Sequence, residues 1–397
     1  MSLSWLPEAL EELSRQGLLR EPRTLSSATG PEALVDGRSV LLFCSNDYLG
    51  LSDHDAVKAA AIEATTRWGV GACSSRLISG THDLHRQLEE RLAIWIGVEK
   101  TLLFPAGFMA NLAVLSTLPR SGDVIFSDAL NHASIIRGCR LSQAEVVVYP
   151  HGDVDTLDHL MSHHSTEGRR YIVSDALFSV DGDEAELAAL GQIASRLDAT
   201  LMIDEAHSLG VLGPSGRGLC AAAQVTPDVL VGTLGKAFGC AGAFVAGSTN
   251  LVRYLESRAA PFIFTTAPPP ALPAAAMAAL DLIVTADDAR ARLLAHADAL
   301  RSAFQAMAVV VEPSGRTVRR HIVPALVPGV DRVVDVANEL FRQGVFVQAL
   351  RPPTVPARTE RLRWTPTSRH TSEQIDHAVG AFAKAIDSLG ARRGGVQ

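Results

Sequence analysis

Residues 4–19 (SWLPEALEELSRQGLL) repeat apolar positions at helical spacing, which predicts a helix ending near Gly17 and leading into a polar connector. From about residue 85 the pattern changes. Helical stretches such as LHRQLEERLAIWIG alternate with short apolar runs: TLLF at 101, DVIFS at 123, AEVVVY at 144, YIVS at 171, TLMI at 200, DVLVG at 228 and AFVAG at 243. Short apolar runs alternating with helices predict an α/β fold, a mostly parallel sheet between helices. The segment Ala267-Pro268-Pro269-Pro270-Ala271-Leu272-Pro273 interrupts this order ahead of an Ala-rich helix at 274–285. Beyond it, HIVPALV at 321, VFVQAL at 345 and RLRWTP at 361 predict a smaller C-terminal α/β domain. The expected organisation is an N-terminal helix and arm over 1–50, a large domain over 51–288 and a small domain over 289–397. No internal repeat or low-complexity tract stands out.

Composition narrows the function. A chain of 397 residues, 47% hydrophobic, has material for a large core. The net charge of −7, with Lys and Arg scattered along the chain, argues against nucleic acid or anionic lipid as partner and for small molecules or proteins. No apolar run reaches the roughly 18–20 residues of a membrane span. The N-terminus also lacks a basic segment ahead of an apolar stretch, so a cytoplasmic protein is expected. The cysteines (Cys44, Cys73, Cys139, Cys220, Cys240) form no C-x-x-C pair, which argues against both a disulfide framework and a zinc site. His159, His163 and His164 fall at helical spacing without the carboxylate of zinc-binding helices and read as a solvated face; no metal is expected.

Candidate chemistry lies where the apolar runs end in polar turns, since open α/β sheets bind ligands at the carboxyl ends of their strands. Asp204-Glu205-Ala206-His207 matches the D-E-A-H box of helicases. The phosphate loop that box requires is absent, because Leu230 stands where the first glycine should precede Gly235-Lys236, and Ala237 follows. Gly69-Val70-Gly71-Ala72-Cys73-Ser74 resembles a dinucleotide motif but ends in serine and follows a helical segment, so it is discounted. Asp204 and Lys236 together suit pyridoxal 5′-phosphate (PLP), which needs a lysine for an imine and a carboxylate against its pyridinium nitrogen. Taken singly, the aspartate could cap a helix and the lysine could be solvated.

At this point the sequence resembles the PLP-dependent α-oxoamine synthases of fold type I, which condense an amino acid with an acyl thioester and release CO₂. The resemblance spans nearly the whole chain. It is carried by Ser45-Asn46-Asp47-Tyr48-Leu49-Gly50-Leu51, Ser75-Arg76-Leu77-Ile78-Ser79-Gly80-Thr81, Asn131-His132-Ala133-Ser134, Phe178-Ser179-Val180-Asp181-Gly182-Asp183, Asp204-Glu205-Ala206-His207-Ser208 and Thr233-Leu234-Gly235-Lys236-Ala237-Phe238-Gly239. It implies Lys236 as imine lysine and general acid/base, Asp204 as ring-nitrogen partner, His207 as donor to the phenolic oxygen and His132 stacked on the ring, with helix capping as the alternative use of His132. The amides of Gly107 and Phe108 and the Thr233 hydroxyl would hold the phosphate, and Ser179 would add a cofactor contact.

Within the family, Arg351-Pro352-Pro353-Thr354-Val355-Pro356 and Arg361-Leu362-Arg363 most resemble members that join L-alanine to a pimeloyl thioester on CoA or acyl carrier protein. Relatives using glycine or serine are the alternative, and an inactive partner subunit on this fold is the non-enzyme alternative, against which Lys236 argues. On this resemblance Arg351 meets the amino-acid carboxylate, Asn46 contacts substrate and Arg20, or its neighbour Arg23, faces the acyl end. A homodimer is implied, with Thr354 reaching the partner's site. Three residues depart from the family pattern: Arg358 replaces a glycine after Val-Pro, Arg137 an acid, and Glu186 a proline.

Overall fold

The structure is a computed structural model that describes residues 3–316 and 320–391. Among these, the strands in chain order are β1 (Glu32–Val35), β2 (Arg38–Leu42), β3 (Lys100–Phe104), β4 (Val124–Asp128), β5 (Glu145–Tyr149), β6 (Arg170–Asp175), β7 (Ala199–Asp204), β8 (Val229–Thr233), β9 (Ala243–Gly247), β10 (Val323–Leu326), β11 (Val345–Phe346), β12 (Gln348–Leu350) and β13 (Arg361–Trp364). The chain divides into two compact units, one of residues 1–48, 180–182 and 291–397, the other of residues 49–179 and 183–290.

The second unit is built on one seven-stranded sheet in the order β3-β9-β8-β7-β6-β4-β5. Strands β4 to β8 pair in parallel and β9 runs antiparallel to both β3 and β8. Inner strands covered on both faces must be apolar throughout, which is why these segments read as continuous runs and not as alternation. All of β4 and β9, and all of β6 after Arg170, are buried. Because β4, β6, β7 and β8 point the same way, their last residues, Asp128, Asp175, Asp204 and Thr233, come to one edge of the sheet.

The first unit holds two three-stranded sheets, β1-β2-β11 and β10-β13-β12. Its core is aromatic: Trp364 meets Phe304, Phe382 and Phe43 with ring centroids 5.1, 5.5 and 5.5 Å apart. Truncating so large a buried side chain costs about 3–5 kcal/mol. Two local expectations differ from the structure. The stretch taken as a polar connector contains the β1–β2 hairpin, turned at Asp36-Gly37 with φ of 48° and 77°. Both turn residues are left-handed, as a two-residue hairpin turn requires. VFVQAL is likewise not one strand: β11 pairs with β2 in parallel and β12 with β13 antiparallel.

Candidate active site

Asp204 closes β7 and is buried. Its Oδ2 accepts the Asn111 side-chain amide at 2.6 Å and its Oδ1 accepts the Ala206 N–H at 2.8 Å. Asn111 sits on the helix Gly107–Leu115 and also donates to Ser134 Oγ at 2.8 Å. Beside Asp204, in register on β6, stands Asp175. Burial first, and then the charge of Asp204, push the Asp175 carboxyl well above the usual carboxylate range, a direction that favours the neutral acid.

His132 is positioned from two sides. Its N–H donates to Asp175 Oδ2 at 2.7 Å, while its ring Nδ1 accepts the Ser134 N–H at 3.2 Å and lies 2.7 Å from Ser134 Oγ. The ring therefore does cap the helix Ala133–Leu141, the alternative use weighed for it. Burial lowers its pKa, the Lys236 ammonium adds to that, and Asp204 opposes it. A neutral ring with Nδ1 as acceptor is the consistent state. Lys236 also acts electrostatically on Asp175, so Lys236, Asp204, Asp175 and His132 are electrostatically linked.

Lys236 is half-buried in the turn after β8. Thr233 Oγ1 accepts the Gly235 N–H at 3.2 Å and donates to the Gly242 carbonyl at 3.2 Å, clamping the start of that turn. A Cβ added to Gly107 would lie 3.9 Å from the same hydroxyl, so the amino end of the helix Gly107–Leu115 faces Thr233. The first amides of a helix have no intrahelical acceptor, which leaves Gly107 and Phe108 suited to an anion there. His207 is buried three residues beyond Asp204, and Ser179 is half-buried where the Phe178 N–H donates to the Asp183 carbonyl at 2.9 Å.

Glu205, the second acid of the D-E-A-H box, has a structural role. It is fully buried and accepts the N–H groups of Leu219 at 3.0 Å and Cys220 at 2.6 Å, along with the Ser208 hydroxyl. Gly218, at φ 90°, is required beside it, because a Cβ there would fall 2.7 Å from Glu205 Oε2.

The remaining candidates lie in the first unit. Arg20 is exposed and donates to the Pro352 carbonyl at 3.5 Å, and Arg351 donates to the Leu19 carbonyl at 2.8 Å. Burial, and then Arg20, lower the Arg351 guanidinium. Arg23 is committed elsewhere, paired with Asp36 at 2.9 Å and lying 3.9 Å over the Phe341 ring. Arg20, Arg23, Phe341, Gln348 and Arg351 line a cavity of about 450 Å³. Asn46 Oδ1 accepts the Tyr48 hydroxyl at 3.0 Å and Arg363 Nη1 at 3.1 Å, while the Thr354 side chain is exposed. Of the departures, Arg358 adopts φ 67°, Arg137 is exposed on its helix and Glu186 precedes the helix Leu187–Arg196.

Sequence reasoning missed Asn111 and the part played by Asp175. Asn111 carried a signal, a buried amide inside the otherwise apolar helix GFMANLAVL.

This chain belongs to the aminotransferase class I and II family, whose profile matches residues 38–382. Within that breadth it is similar to curated 8-amino-7-oxononanoate synthases. That of Geobacter sulfurreducens is 46% identical over 385 residues, covering 96% of this chain and 97% of the relative. That of Trichlorobacter lovleyi is 42% identical over 394 residues, covering 98% and 100%. Among solved structures, serine palmitoyltransferase from S. paucimobilis with a bound PLP–myriocin aldimine superposes with a TM-score of 0.92 at 30% identity, covering 98% of each chain. The 8-amino-7-oxononanoate synthase of Francisella tularensis gives a TM-score of 0.75 at 31% identity, covering 88% of this chain and 98% of that one. The fold is that of the type I PLP enzymes.

Proposed function

We propose that the chain is a PLP-dependent acyltransferase of biotin synthesis. It joins L-alanine to a pimeloyl thioester, carried by CoA or acyl carrier protein, and yields 8-amino-7-oxononanoate, CO₂ and the free thiol. The observation that carries this reading is Asp204: a buried carboxylate at the end of β7 that accepts the Asn111 and Ala206 amides, with Lys236 acting on the neighbouring Asp175 and His132. The residues fit the cofactor. An acid with no arginine partner among the described residues suits a pyridinium, and a helix amino end facing the Thr233 hydroxyl suits a phosphate. The curated relatives, named 8-amino-7-oxononanoate synthase, support a role in biotin synthesis.

When bound, PLP supplies an electron sink for negative charge at the amino acid's α-carbon. Asp204 would hold the ring-nitrogen proton, His207 would donate to the phenolic oxygen, and His132 would offer an aromatic face. Gly107, Phe108 and Thr233 would hold the phosphate, with Ser179 as a further contact. The Lys236 amine would anchor the cofactor and would be the group that moves the α-proton. Arg351 binds the amino-acid carboxylate as a bidentate fork, Asn46 contacts substrate and Arg20 faces the acyl end, a role for which Arg23, already paired with Asp36, is less suited. The working form is a cytoplasmic homodimer in which Thr354 serves the partner's site.

Product mass spectrometry with a panel of amino acids and acyl thioesters tests the substrate. Alanine with pimeloyl thioester should be preferred, and glycine should react weakly, because one methyl group discriminates by only about 1–3 kcal/mol. A clear preference for glycine with succinyl-CoA or acetyl-CoA, or for serine with palmitoyl-CoA, would overturn the assignment. Borohydride reduction and peptide mapping should place the cofactor on Lys236, and label on another lysine would overturn that role.

A further inference from the structure

His151 follows β5 and lies between two carboxylates, with Nδ1 2.9 Å from Asp128 Oδ1 and Nε2 2.6 Å from Asp183 Oδ2. A carboxylate only accepts hydrogen bonds, so contact at both nitrogens calls for both to be donors, and the ring is an imidazolium. Burial works against that charge, but the two carboxylates outweigh it and raise the pKa to about 9. The ring also stands edge-on to buried Phe178, with centroids 4.4 Å apart at 85°.

The Asp128 carboxylate shapes the turn that leads to His132, and Asp183 stands at the end of the turn that carries Ser179. Asp128 accepts the Leu130 N–H at 2.8 Å and the Gly152 N–H at 2.9 Å, which bends the chain two residues before His132. The Asp183 carbonyl accepts the Phe178 N–H at 2.9 Å, closing the turn that contains Ser179. Asp183 is buried, and its second oxygen, Oδ1, has no hydrogen-bond partner among the described residues, so its carboxylate depends on His151. Without the imidazolium, two buried acids would share one site uncompensated.

We infer that His151 is a positioning residue: an ionic staple that fixes the turn bearing His132 to the turn bearing Ser179 and so sets the seat of the cofactor. The inference rests on the PLP reading above. It assigns His151 no contact with substrate or cofactor.

The test compares holoenzymes. His151→Gln retains a donor near Nε2 and cannot carry the charge. It should bind PLP about tenfold more weakly, as when a group supporting a ligand residue is removed. The visible circular dichroism of its bound cofactor should fall at least twofold, because that band reports how the ring is held. Should this variant not fold, the Asp128→Asn, His151→Gln pair lacks the surplus buried charge and is read the same way. A dissociation constant within twofold of the parent and a superimposable spectrum would overturn the inference, even if thermal stability fell. A parent enzyme with no visible PLP band would overturn both this inference and the reading it rests on; a parent that binds PLP beside an unaltered variant would overturn the role of His151 alone.

Discussion

The two ends of the large sheet treat buried acids in opposite ways. At the amino ends of the strands, Asp123 is met by the Arg120 N–H at 2.8 Å, the Arg169 N–H at 2.9 Å and the Arg169 guanidinium at 2.7 Å. Burial alone would raise its pKa, but these donors hold it below the ordinary carboxylate range. At the carboxyl ends, Asp175 and Asp204 stand side by side and no arginine pairs with either among the described residues. There the cation acting on the acids is Lys236, which lowers the pKa of Asp175 against burial and the charge of Asp204. Arginine holds the acid at the amino end, whereas the carboxyl end gathers Asp175, Asp204 and Lys236.

The largest expected effect tests that contrast directly. Asp204→Asn should still bind PLP but lose on the order of 10²–10³-fold in kcat, about 3–4 kcal/mol, the scale of losing one preorganised electrostatic contact. Turnover like the parent's would break the comparison. Asp123→Asn should leave kcat unchanged and lower unfolding free energy by about 1–3 kcal/mol in a urea titration, because buried amides lose a charged acceptor.

The pH dependence of the thermal midpoint separates the ends further. The stabilisation from Asp123 is present above its unfolded pKa, near 3.8, and is lost as pH falls through its lower folded value. The stabilisation from His151, which faces Asp128 and Asp183, is full below its unfolded value of 6.5 and is lost as pH rises through about 9. An alkaline decline across that window should therefore flatten in His151→Gln. Asp175→Asn should be mild, within about threefold in kcat, because burial and Asp204 shift this carboxyl toward its neutral form and the amide still accepts the His132 N–H. A loss as deep as that of Asp204→Asn would show that Asp175 works as an anion. The smallest effect is expected at Arg358, whose φ of 67° suits glycine: Arg358→Gly should change stability by at most about 1 kcal/mol, the relieved strain being offset by added chain entropy.

The sequence by itself determined the strand series, because strands buried on both faces must be written as unbroken apolar runs, and TLLF, YIVS and TLMI fall where β3, β6 and β7 form. It also marked the turns at the strand ends, where Asp204, Lys236 and His132 stand in recognisable motifs. The β1–β2 hairpin lies in the stretch read from the sequence as a polar connector; its turn signal, Asp36-Gly37, follows only a short apolar stretch, and the pairing emerges from the structure. Only the tertiary structure decided which acids are compensated. Asn111 reaches Asp204 across 93 residues, His151 reaches Asp128 and Asp183 across 23 and 32, and Asp175 meets Asp204 through sheet register. Local periodicity records which face of an element is buried. Whether a buried carboxylate finds an arginine, an amide or an imidazolium depends on contacts through space, and those exist only once the strands have been ordered.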